Sequence, residues 1–120
     1  MLETTISLPE IDKEVMLLCD RGMNSFLKLD IILFYHNKRL SDADVNELAR
    51  YTGRSPVEVE DAVSALIKDG LLEPSSNPNE RYRLSGFPNI PRPLNKFLEA
   101  YNRLPLRLAI LSKFLRENRY

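Results

Sequence analysis

Two stretches of the chain, Ser41-Asp42-Ala43-Asp44 and, fourteen residues on, Ser55-Pro56-Val57-Glu58, constrain the fold more than any others. Each sets a hydroxyl just before a helix and a carboxylate three positions later, where the pair satisfies N–H groups that a first helical turn leaves without partners. Pro56 takes the first helical position, where its missing N–H does no harm. Between the two signals lies Gly53; Val45, Leu48 and Ala49 precede it, and Val59, Ala62, Val63, Leu66 and Ile67 follow at helical spacing. The spacing predicts two helices joined by a turn of a few residues. Ser41 caps the first, and the second runs over 56–69 to a stop at Gly70, with Lys68 favouring its last turn.

The flanks complete a mainly helical plan. Ser7, Pro9 and Glu10, followed by Ile11, Val15, Leu18 and Cys19, predict a leading helix that ends near Gly22. Asn24 or Ser25 caps a helix from Phe26 to about Asn37, whose broad apolar stripe calls for burial on more than one side. Leu71 and Leu72 enter a short strand, PSSNPNE has the chemistry of a turn, and RYRL returns as a second strand. Alternation then turns Tyr82 and Leu84 inward and Arg81 and Arg83 outward.

GFPNIPRP, with three prolines, interrupts regular structure before a terminal helix from Leu94 that Pro105 must kink or divide near Leu104. If that helix were continuous, Leu94, Phe97, Leu98, Tyr101, Leu104, Leu108, Leu111 and Leu115 would share one side, with Arg92, Lys96, Arg103 and Arg107 opposite. Leu106, Ile110 and Phe114 add a second apolar face beyond the proline, so burial nearly all round is expected there, in the core or against a second subunit.

A length of 120 residues sets a single domain, and 43% hydrophobic with 28% charged residues is the composition of a globular chain. The longest apolar run, Ile31 to Tyr35, is far below the roughly 20 residues of a membrane span. The start MLETTISLPEID lacks the pattern of a secretory signal, and Cys19 is the only cysteine, so a cytoplasmic protein without an internal disulfide is expected. His36 is the only histidine and has no companion for a metal site. Without a phosphate-binding glycine loop, nucleophile elbow or zinc-binding cysteine pair, neither an enzyme nor a bound cofactor is expected. The net charge is zero overall but −5 over 41–73 and +5 over 87–120, which separates an acidic middle from a basic tail.

Residues KLDIILFYHNKRLSDADVNELARYTGRSPVEVEDAVSALIKDGLLEPSSNPNERYRLS resemble the winged helix-turn-helix modules of prokaryotic transcriptional regulators, in the broad class that includes MarR-like and ArsR-like proteins. The resemblance covers about half the chain, and ELARYTGRSPVEVEDAVSALIKDGLL and the closing YRLS carry most of it. It implies a mainly α fold with a small β-hairpin wing at 24–86, an added leading helix at 1–23, and a Pro-kinked C-terminal region at 87–120. By position, that last region is similar to the dimerisation helices of those regulators. A homodimer built on Leu104, Leu106, Leu108, Ile110, Leu111, Phe114 and Leu115 is therefore implied. So is binding of double-stranded DNA, with helix 56–69 in the major groove and the wing on the phosphates.

The residues at those positions are then Arg54, Ser64 and Lys68 on the helix and Arg81 and Arg83 on the wing. The outward face of the helix also carries Glu58 and Asp61, with Glu60 beside them, and each carboxylate is repelled by phosphate. Capping and the helix dipole account for these acids without any ligand. Two functions are thus open: a DNA-binding transcriptional regulator, or a winged helix used as a protein interaction module.

Overall fold

The computed structural model describes residues 9–38, 42–75 and 80–117. Three features expected from sequence lie outside them: Ser7 at the leading helix, Ser41 as a cap, and residues 76–79 of the hairpin loop. Among the described residues the order is α1 (Lys13–Arg21), α2 (Phe26–Lys38), α3 (Val45–Thr52), α4 (Pro56–Lys68), β1 (Leu72–Pro74), β2 (Tyr82–Leu84), α5 (Arg92–Tyr101) and α6 (Leu104–Arg116).

Helix α2 forms the centre. It buries Leu27, Leu29, Ile31, Ile32, Phe34 and Tyr35, positions that spread around the helix, so it is covered on more than one side as its sequence requires. Helices α3 and α4 and strand β2 pack against it, and α1 packs against α5. From the far side α6 returns to it, placing Phe114 5.3 Å from Phe26 between ring centres. Val15, Cys19, Met23, Leu48, Val59, Leu66, Leu72, Leu94, Phe97 and Ile110 join the same core.

Helix α1 begins later than its apolar spacing suggests. The Asp12 carboxylate accepts the Glu14 N–H at 2.8 Å while its own backbone stays extended, so the helix starts at Lys13 and Pro9 and Glu10 remain outside. Ser25 Oγ accepts the Lys28 N–H at 3.2 Å and supplies the cap expected for α2. The start of α3 is displaced by three residues from the Ser41 cap. Ala43 exchanges backbone hydrogen bonds with Tyr82 at 2.9 and 2.8 Å, which holds the chain extended there and delays the helix until Asp44. Asp44 and Glu47 then form a reciprocal capping box at 2.8 and 3.1 Å.

Ser55 and Glu58 form the second capping box as expected, ahead of Pro56. Gly53, at φ 72°, ends α3 in the left-handed region that glycine adopts without strain, and Gly70, at φ 79°, does the same beyond α4. The hairpin is antiparallel with Leu72 opposite Leu84, Glu73 opposite Arg83 and Pro74 opposite Tyr82. Tyr35 Oη donates to the Tyr82 carbonyl at 2.8 Å and ties the hairpin to α2.

The terminal region is two helices. Asn102 closes α5, Arg103 is extended, and Pro105 lies in the first turn of α6, where it is tolerated. The break resets the helical phase: Leu94, Phe97 and Leu98 are buried, whereas Leu104, Leu108 and Leu115 face solvent at 61, 48 and 69% exposure. Within the single chain α6 has one buried face, formed by Ala109, Ile110, Lys113 and Phe114.

Candidate interaction face on the fourth helix and the hairpin

The periodicity of α4 decides what it presents. Val59, Ala62, Val63 and Leu66 are buried, and Val57, Glu58, Glu60, Asp61, Ser64 and Lys68 are exposed. Arg54, just ahead of this helix, spans one turn to Glu58 at 2.9 Å. That guanidinium is the first cause of the lowered Glu58 pKa, and the Ser55 backbone N–H is the second. The first turn of the exposed face is thus an internally paired Arg54–Glu58 unit followed by Glu60 and Asp61.

Arg81 does not project into solvent. Its Nε donates to Asp42 Oδ1 at 2.6 Å and one terminal nitrogen donates to the Asp42 carbonyl at 3.1 Å. The other lies 2.9 Å from Glu47 Oε1 and 3.8 Å from Asp44 Oδ2. Ser75 Oγ donates to the second Asp42 oxygen at 2.9 Å. The Arg81 and Ser75 hydrogen bonds hold the Asp42 carboxyl below the usual carboxylate range, and the same contacts raise Arg81 further above its ordinary value.

Arg83 is paired across the strands, with Nε and a terminal nitrogen 2.7 and 2.6 Å from Glu73 Oε2. The other Glu73 oxygen accepts the Gly86 N–H at 3.0 Å, and that bond, followed by Arg83, lowers the Glu73 pKa. Both arginines are partly buried in ion pairs with the chain's own acids, Arg83 on the side of the hairpin away from the buried Leu72 and Leu84 as alternation predicts.

A groove of about 360 Å³ separates the starts of α3 and α4 from the hairpin, lined by Asp44, Val45, Asn46, Pro56, Glu60, Glu80 and Tyr82. Its charged side chains are all carboxylates. Ser64 and Lys68 lie further along α4 and do not line it.

The expected basic stripe of the tail is also divided. Lys96 pairs with Glu14 at 3.0 Å and Asp12 at 3.4 Å, and Arg92 lies 3.6 Å from Glu14. Arg107 sits 5.1 Å over the Tyr101 ring and donates to the Tyr101 carbonyl at 2.7 Å. Arg103 is exposed at the start of α6. Of the seven residues expected at a dimer interface, Ile110 and Phe114 are fully buried in the chain's own core; Leu106 and Leu111 are half-buried, and Leu104, Leu108 and Leu115 are exposed.

His36 is half-buried with Nε2 3.3 Å from Asn102 Oδ1, and Cys19 is fully buried. No group of three or more metal-ligating side chains occurs among the described residues, and no described helix is long and apolar enough to cross a membrane. Sequence reading passed over Asp42, Asp44, Glu47 and Glu73 as clamps on the hairpin cations. The Glu73–Arg83 pair was accessible from hairpin register, whereas the Asp42 cluster depends on the long-range bridge between Ala43 and Tyr82. Comparisons with known protein families, with curated proteins and with solved structures return no match.

Proposed function

We propose that this chain is a winged helix domain used as a protein interaction module, whose α4 face and hairpin groove receive a basic partner. The observation that carries the reading is the state of the wing cations. Arg81 is surrounded by Asp42, Asp44 and Glu47, and Arg83 is held by Glu73, while the neighbouring groove presents Asp44, Glu60 and Glu80. Binding to a duplex draws on cations that neutralise phosphates and release counterions. Here the arginines would first have to leave carboxylates already within hydrogen-bonding distance, and phosphate would enter beside two more negative groups, Glu60 and Glu80. A lysine- or arginine-rich segment meets the opposite situation, because the same carboxylates favour it.

The test is an electrophoretic mobility shift with random-sequence duplex at low salt, paired with titration of a lysine-rich peptide. The expected result is no retardation of the duplex, together with peptide binding that Glu60→Lys and Asp61→Lys weaken. A second reading, a DNA-binding transcriptional regulator, draws on one observation: Ser64 and Lys68 are exposed along the outward side of α4, on the helix that the resemblance assigns to the major groove. Under it, duplex binding appears at low salt, and Arg81→Ala with Arg83→Ala lowers the salt slope by about two.

A further inference from the structure

The outer face of α6 is apolar where an amphipathic surface helix is polar. Leu104, Leu108, Leu111 and Leu115 are spaced four, three and four residues apart, which places them on one stripe about 16 Å long, with the buried Ala109 and Lys113 on the far side of the helix. Three of the four are exposed, at 61, 48 and 69% for Leu104, Leu108 and Leu115. This is the repeat by which helices pack side by side, knobs into holes.

The charges around the stripe have one sign. Arg103 precedes it, Arg107 flanks it and Arg116 closes it, while Glu117 is bonded to Lys113 toward the buried side. Lys113, 7% exposed, also reaches Asp20 on α1 at 2.9 Å and so anchors α6 by its inner face. A second copy of α6 would set arginines against arginines along the seam. A helix with an apolar stripe bordered by carboxylates would instead pair with them, the arrangement that fixes partner choice in helix pairs.

We infer that the outer face of α6 is a docking surface for an acidic amphipathic helix of another protein. This surface is separate from the α4 face and does not depend on what that face binds.

The experiment uses the full chain and two synthetic helical peptides of about 20 residues, a length that supports a helix. Both carry leucines at the same four-three-four spacing. One has glutamates on the flanks and the other lysines. Fluorescence anisotropy on a Glu60→Gln, Asp61→Asn chain, in which the α4 face no longer attracts the lysine peptide, is expected to show binding of the glutamate peptide only. Leu108→Ser and Leu115→Ser, at exposed positions that leave the circular dichroism unchanged, each weaken it about tenfold to a hundredfold. Arg103→Glu with Arg116→Glu shifts preference to the lysine peptide.

Equal binding of both peptides, or no binding of the glutamate peptide, overturns the inference. So does sedimentation showing a micromolar dimer that Leu108→Ser dissociates, since the seam would then belong to a second copy. Because Glu60→Gln and Asp61→Asn neutralise the α4 face in these titrations, their failure is distinguishable from failure at that face, which the lysine-rich peptide reports on the unsubstituted chain.

Discussion

Arg81 joins the segment before α3 to the second strand, and among the described residues its guanidinium is the cation shared by Asp42, Asp44 and Glu47. Its removal leaves three acids facing one another, so Arg81→Ala is expected to lower the melting temperature more than Arg83→Ala, which frees only Glu73. The pH dependence has a definite sign. The Asp42 carboxyl is lowered in the folded chain by Arg81 and then Ser75, so its contribution is complete above the unfolded carboxylate value of about 3.9 and is lost as pH falls through the lower folded value. Thermal unfolding followed from pH 6 to pH 2 is expected to show a shallower acid limb in Arg81→Ala than in the parent. Ser55→Ala removes the cap of α4 and is expected to cost about 1 kcal/mol in chemical denaturation. The caps at Ser55 and Glu58 were legible because they are set by residues three apart. The clamp on Arg81 was not, because Asp42 and Arg81 are joined only through tertiary pairing.

Among the elements, α6 departs furthest from its sequence pattern. A continuous wheel groups Leu94 and Phe97 with Leu104 and Leu108, but the extended Arg103 lets the second helix begin at a new phase and places the two groups in different surroundings. The buried and exposed faces of α6 therefore answer differently to substitution. Phe114→Ala, in the core beside Phe26, is expected to cost about 3–5 kcal/mol, whereas Leu115→Ala one residue on stays within about 0.5 kcal/mol. Comparable losses from both would place Leu115 in an interface that urea denaturation also disrupts. Helix α4, by contrast, was readable in full: its start, its stop at Gly70 and its inward face all follow from local rules, and packing did not override them.

For the whole molecule, zero net charge conceals an arrangement in which acids and bases distant in sequence are paired across elements. The acids of α1 hold Lys96, Arg92 and Lys113 of the terminal helices, and the acids around α3 hold Arg81. Among the charges outside these pairs are Glu60 and Glu80 of the acidic groove beside the hairpin and the arginines bordering the α6 leucines, on two faces of opposite sign. By itself the sequence determined that the chain is mainly helical, where α2 and α4 lie, that a hairpin follows α4, and which side of α4 faces inward. Those properties depend on periodicity, caps and turn residues within a few positions of one another. Only the tertiary structure decided that α3 starts at Asp44, that the terminal helix is two, and that the hairpin arginines are already engaged. Each of these depends on a contact between segments distant in sequence or on the phase of a chain break, and neither is carried by local spacing.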